Sequence, residues 1–500
     1  MTASKSLLAA SLLLTGVLAI WGATAPQTLV PLASEIVDQF FRSRGWFLML
    51  LVSGMLLLSI WLAVSPYGAV RLGRDEDRPE FSTASWIAML FSAGMGVGLL
   101  FWAVAEPLTH FRFVSEHVSA PEAAEIALKA TLFHWGFHAW AIYGTVAMVI
   151  AYFSFRRGTP MLVSAPVLYL FPGERWARIV GWSSDFLSIV AIAIGVGGSI
   201  AMGVFQVGDG IALMIGADAA APWLIGAVLV AMVAAYVPAL LVDLGDGMSR
   251  LSTLAMAIAI VLVCYTVVLG PTNYLLNAVV QSFGAYVVEV VPHGFQTFTF
   301  FDGEVQSWFS DWTLTYMVWW IAWGPFVGVF VARISRGRTI REFVLGVLVG
   351  PTLFSILWFG AFGGIGLYET LNGPGDLAAL TQTRVEQVTF ALLDRLPLGT
   401  ITTLATLVAA FLFIVTSVVS AAFVLATFST GGDPNPNPKL RLLWGGLLGL
   451  LGLAMIASGS IDAVKKLIAL GALPFVFVSA LLIVCFLRAL GEEEVGHVAR

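Results

Sequence analysis

Charge is what this 500-residue sequence has least of: Asp, Glu, Lys and Arg make up 11% of it, against 59% hydrophobic residues. Soluble domains carry about a quarter charged residues, so a water-facing exterior is excluded for most of the chain. Cysteine is nearly absent as well. Cys264 and Cys485 both lie in apolar stretches, which leaves no disulfide framework and no thiolate metal site. The formal net charge is only −5, and nothing in it points to a nucleic-acid partner. There is no Gly-x-x-x-x-Gly-Lys-[Ser/Thr] loop, so nothing points to ATP-driven transport by this chain. Pro-rich or Ser-rich linkers are missing too, and the chain reads as one membrane domain.

Long apolar runs are what it has instead. Mean hydropathy is +0.92, and runs of about 18 or more apolar residues read as membrane helices. Twelve are expected, at 6–25, 46–66, 83–107, 130–154, 183–206, 221–241, 251–270, 313–333, 342–366, 399–429, 441–459 and 466–488. The first resembles a signal peptide, with Lys5 before it and Ala23-Thr24-Ala25 after it. Pro26 would follow the cleavage point and disfavours processing, so the run is kept as a helix. Lys and Arg concentrate in the loops that are cytoplasmic if the N-terminus is inside, among them Arg71, Arg74, Arg78, Arg156, Arg157, Arg333, Arg336, Arg338 and Arg341. An even helix count then puts both termini in the cytoplasm.

Glycine falls where lipid should forbid it. GMGVG (94–98) interrupts the third expected span, although an interior Gly costs about 1 kcal/mol relative to Ala and unpaired backbone in hydrocarbon costs several more. GPFVG (324–328) falls at a similar depth in the eighth. Five spans run from the third to the connector at 271–312, and five follow it. Breaks in corresponding helices are the mark of an inverted-repeat transporter with its site near the midplane. The organisation expected is two leading helices (1–82), a first repeat (83–270), the connector, a second repeat (313–488) and a short tail (489–500). The connector's first part, NYLLNAVVQSFGAYVVEVV, is too polar to span but has apolar residues at helical spacing. It fits an interfacial or partner-docking amphipathic helix, and equally a surface connector.

Around the breaks, aromatic residues cluster. Trp135, Trp140 and Tyr143 fall within an arc of about 140° on a helix, and Trp319, Trp320 and Trp323 share a face. Such residues form belts at membrane interfaces. Two dense clusters beside helix breaks also suit a cage for a quaternary ammonium, at roughly 2 kcal/mol per desolvated contact. Intramembrane acids are few. Glu106, before Pro107, reads as a helix terminus, and Asp185 lies near a span end. His134 and His138 are expected to pack without acidic partners, which leaves no proton relay and no enzyme constellation. A charged filter ring for a channel is likewise missing. Thr416 and Ser417 form an adjacent hydroxyl pair, a common helix–helix contact in membranes that could also serve a cation.

GMGVGLLFWAVAEPLTHF (94–111), TLFHWGFHAWAIY (131–143) and WWIAWGPFVGVFVARISRGRTIREF (319–343) resemble the signature segments of the betaine/choline/carnitine transporters. That resemblance implies an all-α integral membrane protein of twelve transmembrane helices with a five-plus-five inverted-repeat core. It also implies a homotrimer in the cytoplasmic membrane, moving trimethylammonium or similar compounds by alternating access. The family's cage would fall on Trp135, Trp140, Tyr143, Trp320 and Trp323, with Trp319 beside it and the Gly94, Gly96 and Gly98 backbone facing it. Its sodium site would fall on the carbonyls of Ser92, Met95 and Phe413 and the hydroxyls of Thr416 and Ser417, with Na⁺ as coupling ion. Choline-selective relatives tend to carry Asp where Gly98 stands, so Gly98 implies a zwitterion such as glycine betaine or dimethylsulfoniopropionate. The alternative is a choline or carnitine carrier with proton coupling or ion-independent exchange. Val418, Val419 and Gly324 depart from the family pattern. Gly197-Gly198-Ser199 replaces a usual Ala-Thr-Ser and puts a second sodium site in doubt, and the short tail argues against osmotic self-regulation.

Overall fold

Backbone polar groups in hydrocarbon must be satisfied within the chain, and helices do so almost throughout. The structure is a computed structural model that describes residues 3–94, 96–241 and 245–493, without the side chains of 3, 91–94 and 245–249. In order, α1 is Ala3–Thr24, α2 Pro26–Val64, α3 Thr83–Gly94, α4 Val97–Ser115, α5 Ala120–Trp135, α6 Phe137–Ala151, α7 Ala165–Leu170, α8 Arg175–Ile215, α9 Pro222–Leu241 and α10 Gly245–Leu269. Then follow α11 Thr272–Gly294, α12 Gly303–Phe309, α13 Thr315–Ile334, α14 Ile340–Asn372, α15 Asp376–Thr383, α16 Val388–Arg395, α17 Gly399–Ser429, α18 Pro438–Ile456 and α19 Ile461–Leu490. Among the described residues no strand forms beyond one bridge, Arg71 with Thr339.

Among the described residues twelve helical stretches are long and apolar enough to cross a membrane, all-α as the hydropathy implies. The set differs from the expected spans at two places. The third span is absent from it, because the helix is interrupted as GMGVG implies: α3 stops at Gly94, and Gly96 is extended (φ −107°, ψ −163°) before α4 begins at Val97. Met95 lies outside the described residues. The connector's Thr272–Gly294 takes its place: by length and composition it is apolar enough to span, which corrects the expectation that it is too polar. Leu275, Ser282, Tyr286, Val290 and Gly294 of α11 are buried against α14, α5 and α2. Val280, Phe283 and Val288 stand exposed on its other side. A plain surface connector does not fit that two-faced helix.

A second break was not evident from the sequence. The expected continuous span 130–154 divides at Gly136 (φ −100°, ψ −137°) between α5 and α6. Tyr286 of α11 fills the gap, its hydroxyl oxygen accepting from the Phe137 N–H at 2.6 Å. A Cβ at Gly136 would lie 2.3 Å from that oxygen and 2.6 Å from the Leu132 carbonyl. Gly136→Ala should therefore destabilise the chain by about 1–3 kcal/mol through overpacking. Thermal unfolding in detergent should show a lower midpoint, partly restored by adding Tyr286→Phe.

GPFVG, by contrast, is not a break. The α13 helix runs unbroken through Pro325, with a π-helical turn before it at Ser310–Leu314. Gly328 instead allows close approach to α6, since a Cβ there would lie 2.8 Å from Val146 Cγ1. The expectation of paired breaks at GMGVG and GPFVG is corrected accordingly: the same residue type serves helix contact at the second site.

Packing nevertheless treats the two sets of five alike. The third-span helices pair with α14 as α13 pairs with α6, α10 meets α17 as α19 meets α8, and α9 meets α17 as α18 meets α8. Loops sort cleanly between two faces. On one, Leu72 donates to the Arg338 carbonyl at 2.8 Å, Arg156 grips the Glu493 carboxylate at 2.7 and 2.8 Å, and Ser4 reaches the Ser429 carbonyl at 3.4 Å. Ser4 and Glu493 therefore lie on the face that carries most of the arginines. Arg156 holds the Glu493 carboxyl below its ordinary pKa although burial alone would raise it. On the opposite face Lys466 bridges Asp38 and Asp311 at 2.6 and 3.0 Å.

Candidate functional site: an aromatic pocket at the helix breaks

The two helix breaks open onto one small cavity of about 50 Å³. The start of α4 lines it with Gly96, Val97, Gly98 and Leu99, and α8 adds Ser199. The rest of the wall is aromatic: Trp135 at the end of α5, Tyr143 of α6, and Tyr316, Trp319, Trp320 and Trp323 of α13. The last four stand at i, i+3, i+4 and i+7, one stripe of a helix. Trp320 is the hinge of the cluster, edge-on to Trp135 at 5.2 Å and to Tyr143 at 5.3 Å between centroids. Its indole N–H donates to the His134 carbonyl at 2.8 Å, a carbonyl of the last turn of α5. The break at Gly136 thus supplies an acceptor that fixes a ring.

Glycines make room for the rings. A Cβ at Gly98 would lie 3.2 Å from Trp135 Cη2, and one at Gly195 would lie 3.2 Å from Trp323 Nε1. Gly96 has open space where its Cβ would be. Of the residues expected in the cage, Trp135, Tyr143, Trp319, Trp320 and Trp323 line the cavity together with Gly96 and Gly98. Gly94 closes α3. Trp140 does not line it; fully buried, it backs onto Tyr143 edge-on at 5.8 Å. Tyr316 was missed, although its place in the α13 stripe was readable from spacing.

Behind the wall lies a polar cluster that contradicts two expectations. Glu106 is not a helix terminus: α4 continues through Pro107 to Ser115, and Glu106 is completely buried in it. His134 does have an acidic partner, with its Nδ1 2.7 Å from Glu106 Oε1. The same oxygen is 3.3 Å from His110 Nε2. The other oxygen accepts from Trp135 Nε1 at 2.7 Å and from the Tyr316 hydroxyl. Partners on α4, α5 and α13 meet here, which is why no local pattern revealed them. Glu106, His110 and His134 have metal-ligand spacing, but the facing atoms are engaged with one another. His138 belongs to a different contact, 3.3 Å from Ser53 of α2.

A wider cavity of about 520 Å³ opens on the face that carries Lys466. There the Lys465 ammonium lies 4.3 Å over the Trp312 ring and 3.0 Å from Asp462. Trp312 stacks on Tyr316 at 6.1 Å, and Tyr316 on Trp319 at 6.0 Å. A column of rings thus joins this cavity to the aromatic pocket.

The expected ion ligands are brought near the break only in part. Ser92 lies in α3, its side chain outside the description along with Met95. Phe413 and Thr416 are buried in α17, and their neighbour Ile414 meets Gly203 of α8, which also faces Val97 of α4. The Thr416 hydroxyl donates to the Leu412 carbonyl at 2.9 Å, so its lone pairs remain available to a cation. Ser417 is half-buried on the same helix. Where the family resemblance implies a Thr, α8 has Gly198, which brings no hydroxyl, and its neighbours pack close. A Cβ at Gly198 would lie 2.3 Å from Ile468 Cδ1, and one at Gly197 would lie 2.8 Å from Leu451 Cβ.

Comparison with known proteins settles the class. The sequence matches the model of the betaine/carnitine/choline family of transporters over residues 6–495. The chain belongs to that family. It is 36% identical over 484 residues to the glycine betaine transporter OpuD of Bacillus subtilis, covering 96% of this chain and 93% of that one. It is 33% identical over 485 residues to a probable glycine betaine transporter of Desulfitobacterium hafniense, covering 95% of each. Glycine betaine transporter 1 of Vibrio parahaemolyticus is 33% identical over 408 residues, 80% of this chain and 77% of its own length. As a family member the chain is a membrane transporter and not an enzyme.

Proposed function

We propose that this transporter carries a zwitterionic onium compound, glycine betaine or dimethylsulfoniopropionate, into the cell together with sodium. The observation that carries this reading is the pocket walled by six aromatic rings where α4 begins and α5 ends. Quaternary ammonium and sulfonium groups are held by such walls through cation–π attraction. Two of the named relatives are glycine betaine transporters and the third a probable one, which agrees. Gly98 leaves the wall without a carboxylate, so a substrate that brings its own negative charge is favoured over choline. Gly96 and Gly98 let backbone approach it closely.

Sodium is the co-transported ion in this reading, bound by the carbonyls of Ser92, Met95 and Phe413 and the hydroxyls of Thr416 and Ser417. The exchanger alternative needs a fixed positive group in place of the ion, and α8 offers no Lys or Arg between Arg178 and Ile215. One sodium site is proposed rather than two, because Gly198 brings no hydroxyl to the position where the resemblance implies a Thr. Transport follows alternating access, with the two sets of five helices moving against each other around the pocket. The chain sits in the cytoplasmic membrane with both termini inside, as a homotrimer. The exposed apolar side of α11 suits lipid or a neighbouring subunit.

Tryptophan fluorescence of the detergent-purified protein tests the site directly. Glycine betaine should perturb the emission, and sodium should raise its apparent affinity. Betaine binding without any change in the indoles would place the site elsewhere. Thr416→Ala combined with Ser417→Ala should raise the sodium concentration for half-maximal uptake by about tenfold, corresponding to about 1.4 kcal/mol. Uptake by that double variant with unaltered sodium dependence would remove these hydroxyls from the ion site.

A further inference from the structure

The carboxyl group of Glu106 lies one layer behind the pocket, bonded to two of the rings that form its wall. Its surroundings are rich in donors. An indole N–H can only donate, so Glu106 Oε2 accepts from Trp135 at 2.7 Å. Trp308 donates to His110 Nδ1 at 3.1 Å. The proton of neutral His110 is therefore on Nε2, which faces Oε1 at 3.3 Å. With the Tyr316 hydroxyl, three donors converge on one group, and His134 Nδ1, 2.7 Å from Oε1, adds a fourth in the tautomer that carries its proton there. That is the environment of an acceptor-only carboxylate, whose desolvation is offset by charge-assisted hydrogen bonds.

We propose that Glu106 is a positioning residue that also strengthens the cage, fixing the Trp135 and Tyr316 rings and enriching their faces in electron density through its hydrogen bonds. This rests on the reading of the pocket as an onium cage. An N–H or O–H bonded to a charged acceptor is polarised, and hydrogen bonds in sequence reinforce that polarisation. Attraction of a cation to a ring scales with the negative charge on the ring face, and both rings line the cavity. The buried negative charge adds a direct attraction of the same sign, little screened by solvent. His134 is held in turn by Thr313 at 2.9 Å and His110 by Trp308, so the carboxylate and the two rings form one rigid assembly. Glu106 does not touch the cavity; it acts through rings that do and through the field of its charge.

The test compares binding of glycine betaine with that of 3,3-dimethylbutyrate, which keeps the carboxylate but replaces the trimethylammonium by a neutral tert-butyl group. Calorimetric titration of the full chain in detergent gives the ratio of the two affinities. Wild type should prefer the onium. Glu106→Gln should lower glycine betaine affinity about tenfold and that of the neutral isostere less than twofold, because only the cation senses the enriched rings. Tyr316→Phe, which leaves Glu106 in place, should shift the ratio in the same direction by about threefold. Equal losses for both ligands in Glu106→Gln would reduce the residue to a structural support and overturn the proposal, as would an unchanged ratio in Tyr316→Phe. Should Glu106→Gln not fold, as judged by gel filtration, Tyr316→Phe decides alone. A wild type indifferent to the charge would instead sink the cage reading itself, a distinguishable result.

Discussion

Trp323→Ala should leave the protein folded and lower its affinity for glycine betaine by roughly 30-fold, the loss of one desolvated cation–π contact of about 2 kcal/mol. Trp323 is the cleanest of the six rings to remove. It is half-buried, and its Nε1 has no hydrogen-bond partner among the described residues. Truncation therefore removes a wall without leaving a stranded acceptor. Trp320 is a poorer probe, because its indole satisfies the His134 carbonyl at a helix end. Isothermal titration of the folded variant, with circular dichroism to confirm helix content, checks the result. Affinity within twofold of wild type would move the substrate to the wider cavity beside Lys465.

Gly98→Asp should reverse the charge preference of the pocket. The new carboxylate would start from a position 3.2 Å from Trp135 Cη2, inside the ring of aromatic side chains. For choline, which is positive and has no acid, it supplies a counter-charge. For glycine betaine it faces a like charge, and a juxtaposition of that kind in a partly desolvated site costs on the order of 2 kcal/mol or more. Competition against labelled glycine betaine should show choline inhibition strengthened and betaine affinity weakened at least tenfold. Stronger betaine binding in the variant would mean that its carboxylate points elsewhere and that Gly98 does not set the preference.

The parts of this structure legible from sequence are those carried by short-range pattern. Apolar runs mark the helices, GMGVG marks the interruption between α3 and α4, and the tryptophans of α13 lie on one stripe. Where a feature depends on a distant partner, pattern fails. The Gly136 break is stabilised by Tyr286 from α11, 150 residues away in the chain. Glycines at 324–328 look like those at 94–98, yet Gly328 is needed for contact with Val146 and leaves α13 unbroken. Trp140 shares an arc with Trp135 and Tyr143, but the intervening break at Gly136 resets the helical phase and turns it behind Tyr143. Glu106 looked like a terminus because Pro107 follows it, whereas a membrane helix tolerates that proline within a packed bundle. Its partners come from three helices, and only the fold assembles them.

The central claim, concentrative sodium-driven transport of a zwitterionic onium compound through this pocket, is tested most directly by uptake of labelled glycine betaine into proteoliposomes. The vesicles would carry an inward sodium gradient, or a proton gradient alone, with dimethylsulfoniopropionate and choline as competitors. Accumulation above equilibrium only with sodium, blocked well by dimethylsulfoniopropionate and poorly by choline, is the predicted result. Accumulation indifferent to sodium, or uptake of choline in preference to glycine betaine, would contradict it.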